Sequence, residues 1–233
     1  GPVSWERRPQ EVSQAIDAVA AQSATGGRLA PLQLDLQRVG MYGMSAGGIT
    51  ALTLAGARWS PALLAQHCDA HIEEDFPACV GLSTELTGGA QDAGKIAAAK
   101  QAIRTALGSD TRWRAWPEPR IAAVVAAVPV AAPIDLASIA QPRVPLGLVR
   151  AEKDAWLAPR FHVDAVHATC AARCPVIVNM PLGGHGSTLS PKVPDVPPRL
   201  ARLLTDPPGF DRSSLAGGAH GCADLPSHVA QLP

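Results

Sequence analysis

Residues 43–47 read Gly43-Met44-Ser45-Ala46-Gly47 and follow a short apolar run, Arg38-Val39-Gly40-Met41-Tyr42. The run predicts a buried strand, and the small-residue-rich segment at 46–57 predicts a helix. Glycines two residues before and after a serine allow a turn so tight that the serine backbone is strained and its hydroxyl stands clear of the sheet. Ser45 is therefore the candidate nucleophile. The N–H of Ala46, at the positive end of the helix, is the candidate donor to an oxyanion.

Three further apolar runs have the composition of strands buried on both faces of a parallel sheet. Segments with a helical spacing of apolar residues alternate with these runs. This alternation predicts an α/β fold with a parallel, doubly wound sheet. The predicted strands span residues 121–130, 144–150 and 176–180, and the predicted helices span residues 11–21, 93–107, 158–172 and about 211–225.

Residues 58–119 interrupt the alternation between one helix and the next strand. An insertion of this length in a compact domain is usually a cap or a binding loop. We therefore expect residues 1–233 to belong to one domain, with a cap-like insertion at 58–119. Trp59, Trp113 and Trp116 lie in this insertion, where they either shape a pocket or pack in the core.

A serine nucleophile requires an imidazole within hydrogen-bond reach as its general base. His185 lies in the loop Gly183-Gly184-His185-Gly186, directly after a predicted strand, and the glycines allow the loop to carry the ring over the sheet edge. The other six histidines lie in the insertion, on a predicted helix or near the C-terminus, where a solvated or packed side chain is the default. They are His67, His71, His162, His167, His220 and His228. His185 is the predicted base.

Two aspartates compete to orient this imidazole. Asp154 follows the predicted strand at 144–150 and Asp135 follows the strand before it, so both lie at the edge where an α/β sheet places its site. Asp135 also suits a structural role as the N-cap of a short helix. Asp154 lies in a polar loop one strand before His185 and is the favoured acid. Asp135 remains the alternative, and Glu152 is a weaker third candidate.

Charge and hydropathy exclude several classes of function. Lys and Arg total 20 and Asp and Glu total 20, so the formal net charge is zero. This balance gives no basic face for nucleic acid and no polybasic membrane anchor. The longest apolar run, at 121–134, is too short to be a transmembrane segment. No cysteine pair has a histidine partner at zinc spacing, so we expect no metal site.

Five cysteines form two local pairs, Cys68 with Cys79 and Cys170 with Cys174, and leave Cys222 over. This spacing favours two disulfides and an oxidising compartment. The alternative is five reduced thiols buried as small hydrophobic side chains in a cytosolic protein. A periplasmic or secreted location is the favoured expectation.

Five stretches in this order resemble a family of bacterial α/β-hydrolases, the predicted dienelactone hydrolases, which are allied to platelet-activating-factor acetylhydrolase-like esterases. They span nearly the whole chain, and the last is the most diagnostic. They are Arg8-Pro9-Gln10-Glu11-Val12, residues 38–52 around the serine, Glu152-Lys153-Asp154, Gly184-His185 and Pro207-Pro208-Gly209-Phe210-Asp211-Arg212.

The resemblance implies an α/β-hydrolase fold with Ser45 as nucleophile, Asp154 as acid and His185 as base. It also implies an often exported, cofactor-free enzyme that acts on carboxylic esters. True dienelactone hydrolases use a cysteine nucleophile, and the serine at position 45 counts against the dienelactone reaction itself.

The chain departs from this fold in one respect. The serine turn normally follows about 100 or more residues of earlier sheet, including the loop that gives a second oxyanion donor. Here the serine is residue 45, so we expect the N-terminal strands to be missing from this chain and residues 1–233 to be the C-terminal part of one α/β-hydrolase domain. We expect an N-terminal fragment, outside the sequence, to complete the sheet beside residues 38–42.

The expected function is hydrolysis of a small-molecule or polymeric carboxylic ester through an acyl-enzyme. Met44 and Trp156, which flank the candidate nucleophile and acid, are candidate pocket residues. Two alternatives stay open: an amidase or peptidase with the same Ser-Asp-His triad, and a non-catalytic binding protein with the same fold.

Overall fold

The computed structural model describes residues 2–189 and 198–211. At its centre lie four strands, β1 (Val39–Met44), β2 (Ile121–Ala127), β3 (Leu146–Ala151) and β4 (Val176–Met180). They form one sheet in the order β1-β2-β3-β4, and each pair of neighbours is parallel. Helices flank this sheet, so the predicted α/β class with a parallel sheet is confirmed.

The described residues include eight helices, which are α1 (Pro2–Ser23), α2 (Ala46–Leu54), α3 (Pro61–His71), α4 (Phe76–Val80), α5 (Asp92–Leu107), α6 (Leu136–Ile139), α7 (Val163–Cys170) and α8 (Pro198–Leu204). Helices α2 and α5 lie where the sequence predicts them. The helix predicted at about 211–225 falls outside the described residues except for Asp211.

Two helices differ in length from their predictions. Helix α1 begins at Pro2 rather than at residue 11, because buried Trp5 packs edge-on against Trp59 and so holds an additional N-terminal segment to the core. The helix predicted at 158–172 is divided, with a 3₁₀ turn at Pro159–Phe161 before α7. His162 lies between them with φ −121° and ψ −98°, outside the helical region.

Alternate residues of the two central strands contact two separate apolar clusters. Val124 and Ala126 of β2 belong to the larger cluster, and Val125 and Ala127 to a smaller one that also contains Met180. Because successive side chains of a strand point to opposite faces, the sheet is covered on both faces around β2. This explains why the Val- and Ala-rich run lacks a polar face.

Strand β1 lies at one end of the sheet. Within the described residues it pairs with β2 alone, and Tyr42 is 42% exposed. The strand is thus less buried than the sequence predicts. A further strand from outside this sequence remains a prediction.

The segment at 58–119 contains α3, α4 and α5, and Trp59 and Arg114 pair in a short antiparallel bridge that closes its two ends together. Trp59 is buried in the core, whereas Trp113 and Trp116 are exposed. The Trp116 indole N–H donates to Ser13 Oγ of α1 at 3.0 Å. Trp59 therefore has the packing role that the sequence left open.

The two predicted cysteine pairs both lie at disulfide distance. Cys68 of α3 faces Cys79 of α4, and Cys170 at the end of α7 faces Cys174, just before β4; the Cα atoms are 5.7 Å apart in each pair. Cys222 falls outside the described residues. No described helix combines the length and the hydropathy that a membrane-spanning segment requires.

Candidate active site

Ser45 occupies the turn between β1 and α2 in a strained conformation, with φ 56° and ψ −116°. Its N–H donates to Ala127 O at 3.0 Å, and its carbonyl accepts from the Val130 N–H at 3.1 Å. These bonds fix the turn to the end of β2 and to the loop that follows it. A positive φ is energetically costly for a residue other than glycine, and this backbone conformation persists only where the surrounding structure holds it.

Close packing requires glycine at positions 43 and 48, whereas a Cβ at Gly47 would meet no heavy atom within 4 Å. A Cβ at Gly43 would lie 2.1 Å from the Gly47 carbonyl oxygen, and a Cβ at Gly48 would lie 2.5 Å from Pro129 Cα. Both distances are far below van der Waals contact with backbone atoms, so α2 could not approach β1 and the β2 loop as closely with any other residue. Gly43 thus allows the tight turn that the sequence pattern predicts.

His185 reaches Ser45 from the loop after β4. Its Nε2 lies 2.9 Å from Ser45 Oγ, and the side chain is buried. The loop is held by Ser187, whose hydroxyl accepts from the Gly184 N–H at 2.8 Å and donates to Asp206 Oδ1 at 3.2 Å. The ring is therefore aimed by a hydrogen-bonded loop.

Asp154 lies on the other side of the imidazole. Its Oδ2 accepts from His185 Nδ1 at 2.7 Å, and its Oδ1 accepts from the N–H groups of Trp156 at 2.8 Å and Leu157 at 2.9 Å. The carboxylate is buried and all of these partners are donors. Since a carboxylate can only accept, His185 carries its proton on Nδ1 and presents a bare Nε2 to the serine hydroxyl.

The alternative acids are occupied elsewhere. Asp135 Oδ2 accepts from Arg58 Nε at 2.7 Å, and the position caps α6 without a side-chain hydrogen bond to it. Glu152 accepts from Asn179 Nδ2 at 2.9 Å and pairs with Arg150. Of the three candidates, Asp154 is the one whose carboxylate contacts His185.

The N-terminus of α2 points a positive dipole end at the serine. Ala46 is the first residue of α2, so its N–H belongs to the group that has no acceptor within the helix. This donor and the helix dipole favour negative charge beside Ser45 Oγ. The position of a second oxyanion donor remains a prediction.

A cleft of about 450 Å³ opens beside His185. One wall comes from the insertion, at residues 73–86, and the others from the loops that carry Asp154 and His185 and from the end of α8. Its apolar lining includes Phe76, Pro77, Leu82, Leu86 and Trp156, and its charged lining consists of Glu73, Glu74, Glu85, Lys153 and Arg202.

The two candidate pocket residues differ in position. Trp156 lines the cleft, with its ring centroid 6.4 Å from that of His185. Met44 packs against the smaller core cluster and is not among the residues that line the cleft. Trp113 and Trp116 are not among them either.

Sequence reasoning missed a buried cluster beside the site, formed by Asp75, His67 and His162. Asp75 Oδ2 lies 2.8 Å from His67 Nε2 and 2.9 Å from His162 Nε2. The available signal was an aspartate within the insertion, but nothing local distinguishes it from its acidic neighbours Glu73 and Glu74.

Comparisons with protein-family models, with curated proteins and with solved structures find no match to this chain. The family resemblance of the five stretches therefore stays a hypothesis.

Proposed function

We propose that this chain is a serine hydrolase of the α/β-hydrolase type that cleaves neutral carboxylic esters through an acyl-enzyme. The observation that carries the proposal is the unbroken hydrogen-bond chain from Ser45 Oγ through His185 to Asp154. Nucleophile, base and orienting carboxylate in this order are the three parts of a Ser-His-Asp triad, which is recognised by geometry rather than by family.

In the proposed reaction, His185 Nε2 takes the hydroxyl proton while Ser45 Oγ attacks the ester carbonyl. The carbonyl π electrons move to its oxygen, and the Ala46 N–H and the α2 dipole stabilise the oxyanion. Asp154 stabilises the imidazolium without taking its proton. Collapse of the intermediate re-forms the carbonyl and expels the alkoxide, which receives the Nε2 proton. Water then repeats the sequence on the acyl-enzyme and releases the acid.

The cleft suggests which part of the ester it binds. His185, the group that protonates the leaving alcohol, lines the cleft, whereas the nucleophile Ser45 and the oxyanion donor Ala46 are not among the lining residues. We therefore assign the cleft to the alcohol portion. Glu74 pairs with Arg160 and Glu85 pairs with Arg202, which leaves a nearly balanced, largely apolar wall. An uncharged, apolar alcohol portion fits such a wall.

An oxidising compartment fits the two cysteine pairs at disulfide distance, because disulfides persist outside the reducing cytosol. We propose a periplasmic or secreted location on this basis.

The first experiment asks whether Ser45 is a nucleophile. A fluorophosphonate probe should label the wild-type chain at Ser45, and Ser45→Ala should lose labelling and retain less than about 1% of the turnover of p-nitrophenyl acetate. Ser109→Ala, at an exposed serine in the insertion, is the matched control and should behave as wild type. An unlabelled wild-type chain would favour a non-catalytic binding protein. Faster turnover of the matching p-nitroanilide would favour an amidase.

The second experiment tests the role of the cleft with acetate esters of different alcohols. Leu82→Asp should lower kcat/KM for benzyl acetate at least about tenfold and leave ethyl acetate nearly unchanged, because the larger alcohol contacts the apolar wall. Leu34→Asp changes a leucine of similar exposure that does not line the cleft and serves as the control. Ethyl hexanoate serves as the matching ester with a long acyl group; if Leu82→Asp lowers its kcat/KM and leaves benzyl acetate unchanged, the cleft binds the acyl portion instead.

A further inference from the structure

A second carboxylate–imidazole pair lies beside the triad and plays no part in the reaction described above. Asp75, in the turn before α4, and His162, just before α7, are each 1% exposed. They are 87 residues apart in sequence, and His162 Nε2 lies 2.9 Å from Asp75 Oδ2. The described residues contain no group of three or more His, Cys, Asp or Glu side chains that could hold a metal ion, so the pair has to be explained by what it bonds.

The protonation state of His162 follows from its partners. The backbone N–H of Ala131 donates to His162 Nδ1 at 3.0 Å, so this nitrogen carries no proton. The proton of the neutral ring is therefore on Nε2 and is donated to Asp75. Burial raises the pKa of Asp75, but the hydrogen bonds from His162, His67 and the Ala158 N–H outweigh it and hold the pKa at about 2. The pair is a neutral imidazole bonded to an ionised carboxylate.

Each end of the pair is one short step from a residue of the triad. Ala131 follows Val130, whose N–H donates to the Ser45 carbonyl at 3.1 Å. At the other end, Asp75 Oδ1 accepts from the Ala158 N–H at 3.0 Å. Ala158 directly follows Leu157, whose N–H donates to Asp154 Oδ1. The pair thus bonds both the loop that holds the serine turn and the loop that holds the acid.

We propose that Asp75, together with His162, is a positioning pair that sets the spacing between the serine turn and the acid loop, and so aligns the triad. The proposal rests on the proposed serine-hydrolase function. The pair also couples the insertion to the triad, since Asp75 belongs to the segment at 58–119 that forms one wall of the cleft.

An asparagine at position 75 cannot preserve all of these bonds. If its amide oxygen faces the histidines, its NH₂ group opposes the Ala158 N–H and the acid loop is released. If the oxygen faces Ala158, the NH₂ group opposes the His162 Nε2–H. His162 cannot exchange its proton to Nδ1, because that nitrogen accepts from Ala131. One of the two loops is therefore released in either orientation.

The test compares Asp75→Asn with Asp135→Asn, which alters another ion-paired aspartate that does not contact His185. For Asp75→Asn we expect kcat for p-nitrophenyl acetate to fall about tenfold to a hundredfold, because small misplacements of reacting groups have effects of this size. KM should change less than twofold. The acidic limb of the pH profile of kcat/KM should move to lower pH, because a looser Asp154 stabilises the imidazolium less. Asp135→Asn should keep kcat within about threefold of the wild type and leave KM and the acidic limb unmoved.

A second variant removes a single hydrogen bond and avoids a buried substitution. Ala158 has φ −54°, which proline can adopt, so Ala158→Pro removes the N–H that Asp75 accepts and puts the ring Cδ in its place. It should reproduce the kinetic and pH effects of Asp75→Asn while the far-UV circular dichroism stays that of the wild type. Wild-type kcat and an unmoved acidic limb in folded Ala158→Pro would overturn the positioning role.

One readout is independent of turnover. The downfield proton-NMR signal of His185 Nδ1–H reports its bond to Asp154 and should shift or broaden in Ala158→Pro but not in Asp135→Asn. A wild-type chain without ester turnover or fluorophosphonate labelling would refute the proposed function. An unchanged His185 signal in Ala158→Pro would refute the positioning pair alone.

Discussion

Replacement of Asp154 by asparagine tests the roles in the triad most directly, because the structure shows which hydrogen bonds the asparagine amide would have to replace. The carboxylate accepts from His185 on Oδ2 and from the Trp156 and Leu157 N–H groups on Oδ1. An amide has one oxygen, so it can serve only one side. With the oxygen on the loop side, the NH₂ group donates to His185 Nδ1. The ring then carries its proton on Nε2 and cannot accept one from Ser45.

The other orientation restores the required tautomer but places the NH₂ group against two backbone N–H donors. Each buried donor left without an acceptor costs about 1–3 kcal/mol. The unproductive orientation is thus favoured by about 2–6 kcal/mol, and the productive tautomer falls to a fraction between about 3 × 10⁻² and about 4 × 10⁻⁵. Loss of the negative charge beside the imidazolium reduces the rate further. We expect kcat to fall about 10³- to 10⁴-fold.

The assay is kcat and KM for p-nitrophenyl acetate in Asp154→Asn, with Asp135→Asn as the matched control. Circular dichroism should show both variants folded, since the loop-side hydrogen bonds of residue 154 survive in the favoured orientation. Asp135→Asn should keep kcat within about threefold and lose some stability with the Arg58 ion pair, which is partly exposed and worth about 1 kcal/mol or less. A smaller effect at 154 than at 135, or a fall below tenfold at 154, would refute the assignment of the acid.

Three further outcomes are expected. Gly43→Ala should remove fluorophosphonate labelling and lower the free energy of unfolding in urea by about 1–3 kcal/mol, because the new Cβ would overlap the Gly47 carbonyl. The control Gly40→Ala, on the same strand, places a Cβ with no heavy atom within 4 Å and should change neither the labelling nor the unfolding free energy. Between pH 4 and pH 2, the unfolding free energy of the wild type should fall about 2 kcal/mol more than that of Asp75→Asn. The folded-state pKa of Asp75 lies near 2, below the ordinary 3.8, so the stabilisation from its ionised carboxylate is lost as the pH falls through this window. Equal pH dependence of the two unfolding free energies would show that the Asp75 carboxylate does not supply this stabilisation. Peptide mapping under non-reducing conditions should recover two disulfide-linked pairs, Cys68–Cys79 and Cys170–Cys174. Reduced thiols at all four positions would remove the argument for export.

The local parts of the site were predictable because their causes are local. The serine turn depends on the contact between positions 43 and 47 and on the change from an apolar run to a helix, all within about fifteen residues. The loop of His185 was recognisable in the same way, from glycines directly after β4. Steric contacts between residues that are close in sequence can be predicted from the local order of residue types.

The helix boundaries were less predictable where distant contacts decide them. Helix α1 extends to Pro2 because Trp5 meets Trp59, and the interruption before α7 coincides with the bonds of His162 to Ala131 and Asp75. Periodicity within either segment does not contain this information, because the partner residues lie elsewhere in the chain.

The sequence by itself determined that the chain forms a parallel α/β sheet, that Ser45 follows its first strand and that His185 follows its last. Only the tertiary structure decided that Asp154 rather than Asp135 contacts His185, that Asp75 meets His162, and which side chains line the cleft. The physical reason is the range of the interactions. Strand, turn and helix preferences act over a few residues, whereas a hydrogen bond between residues 87 apart depends on how the whole chain packs.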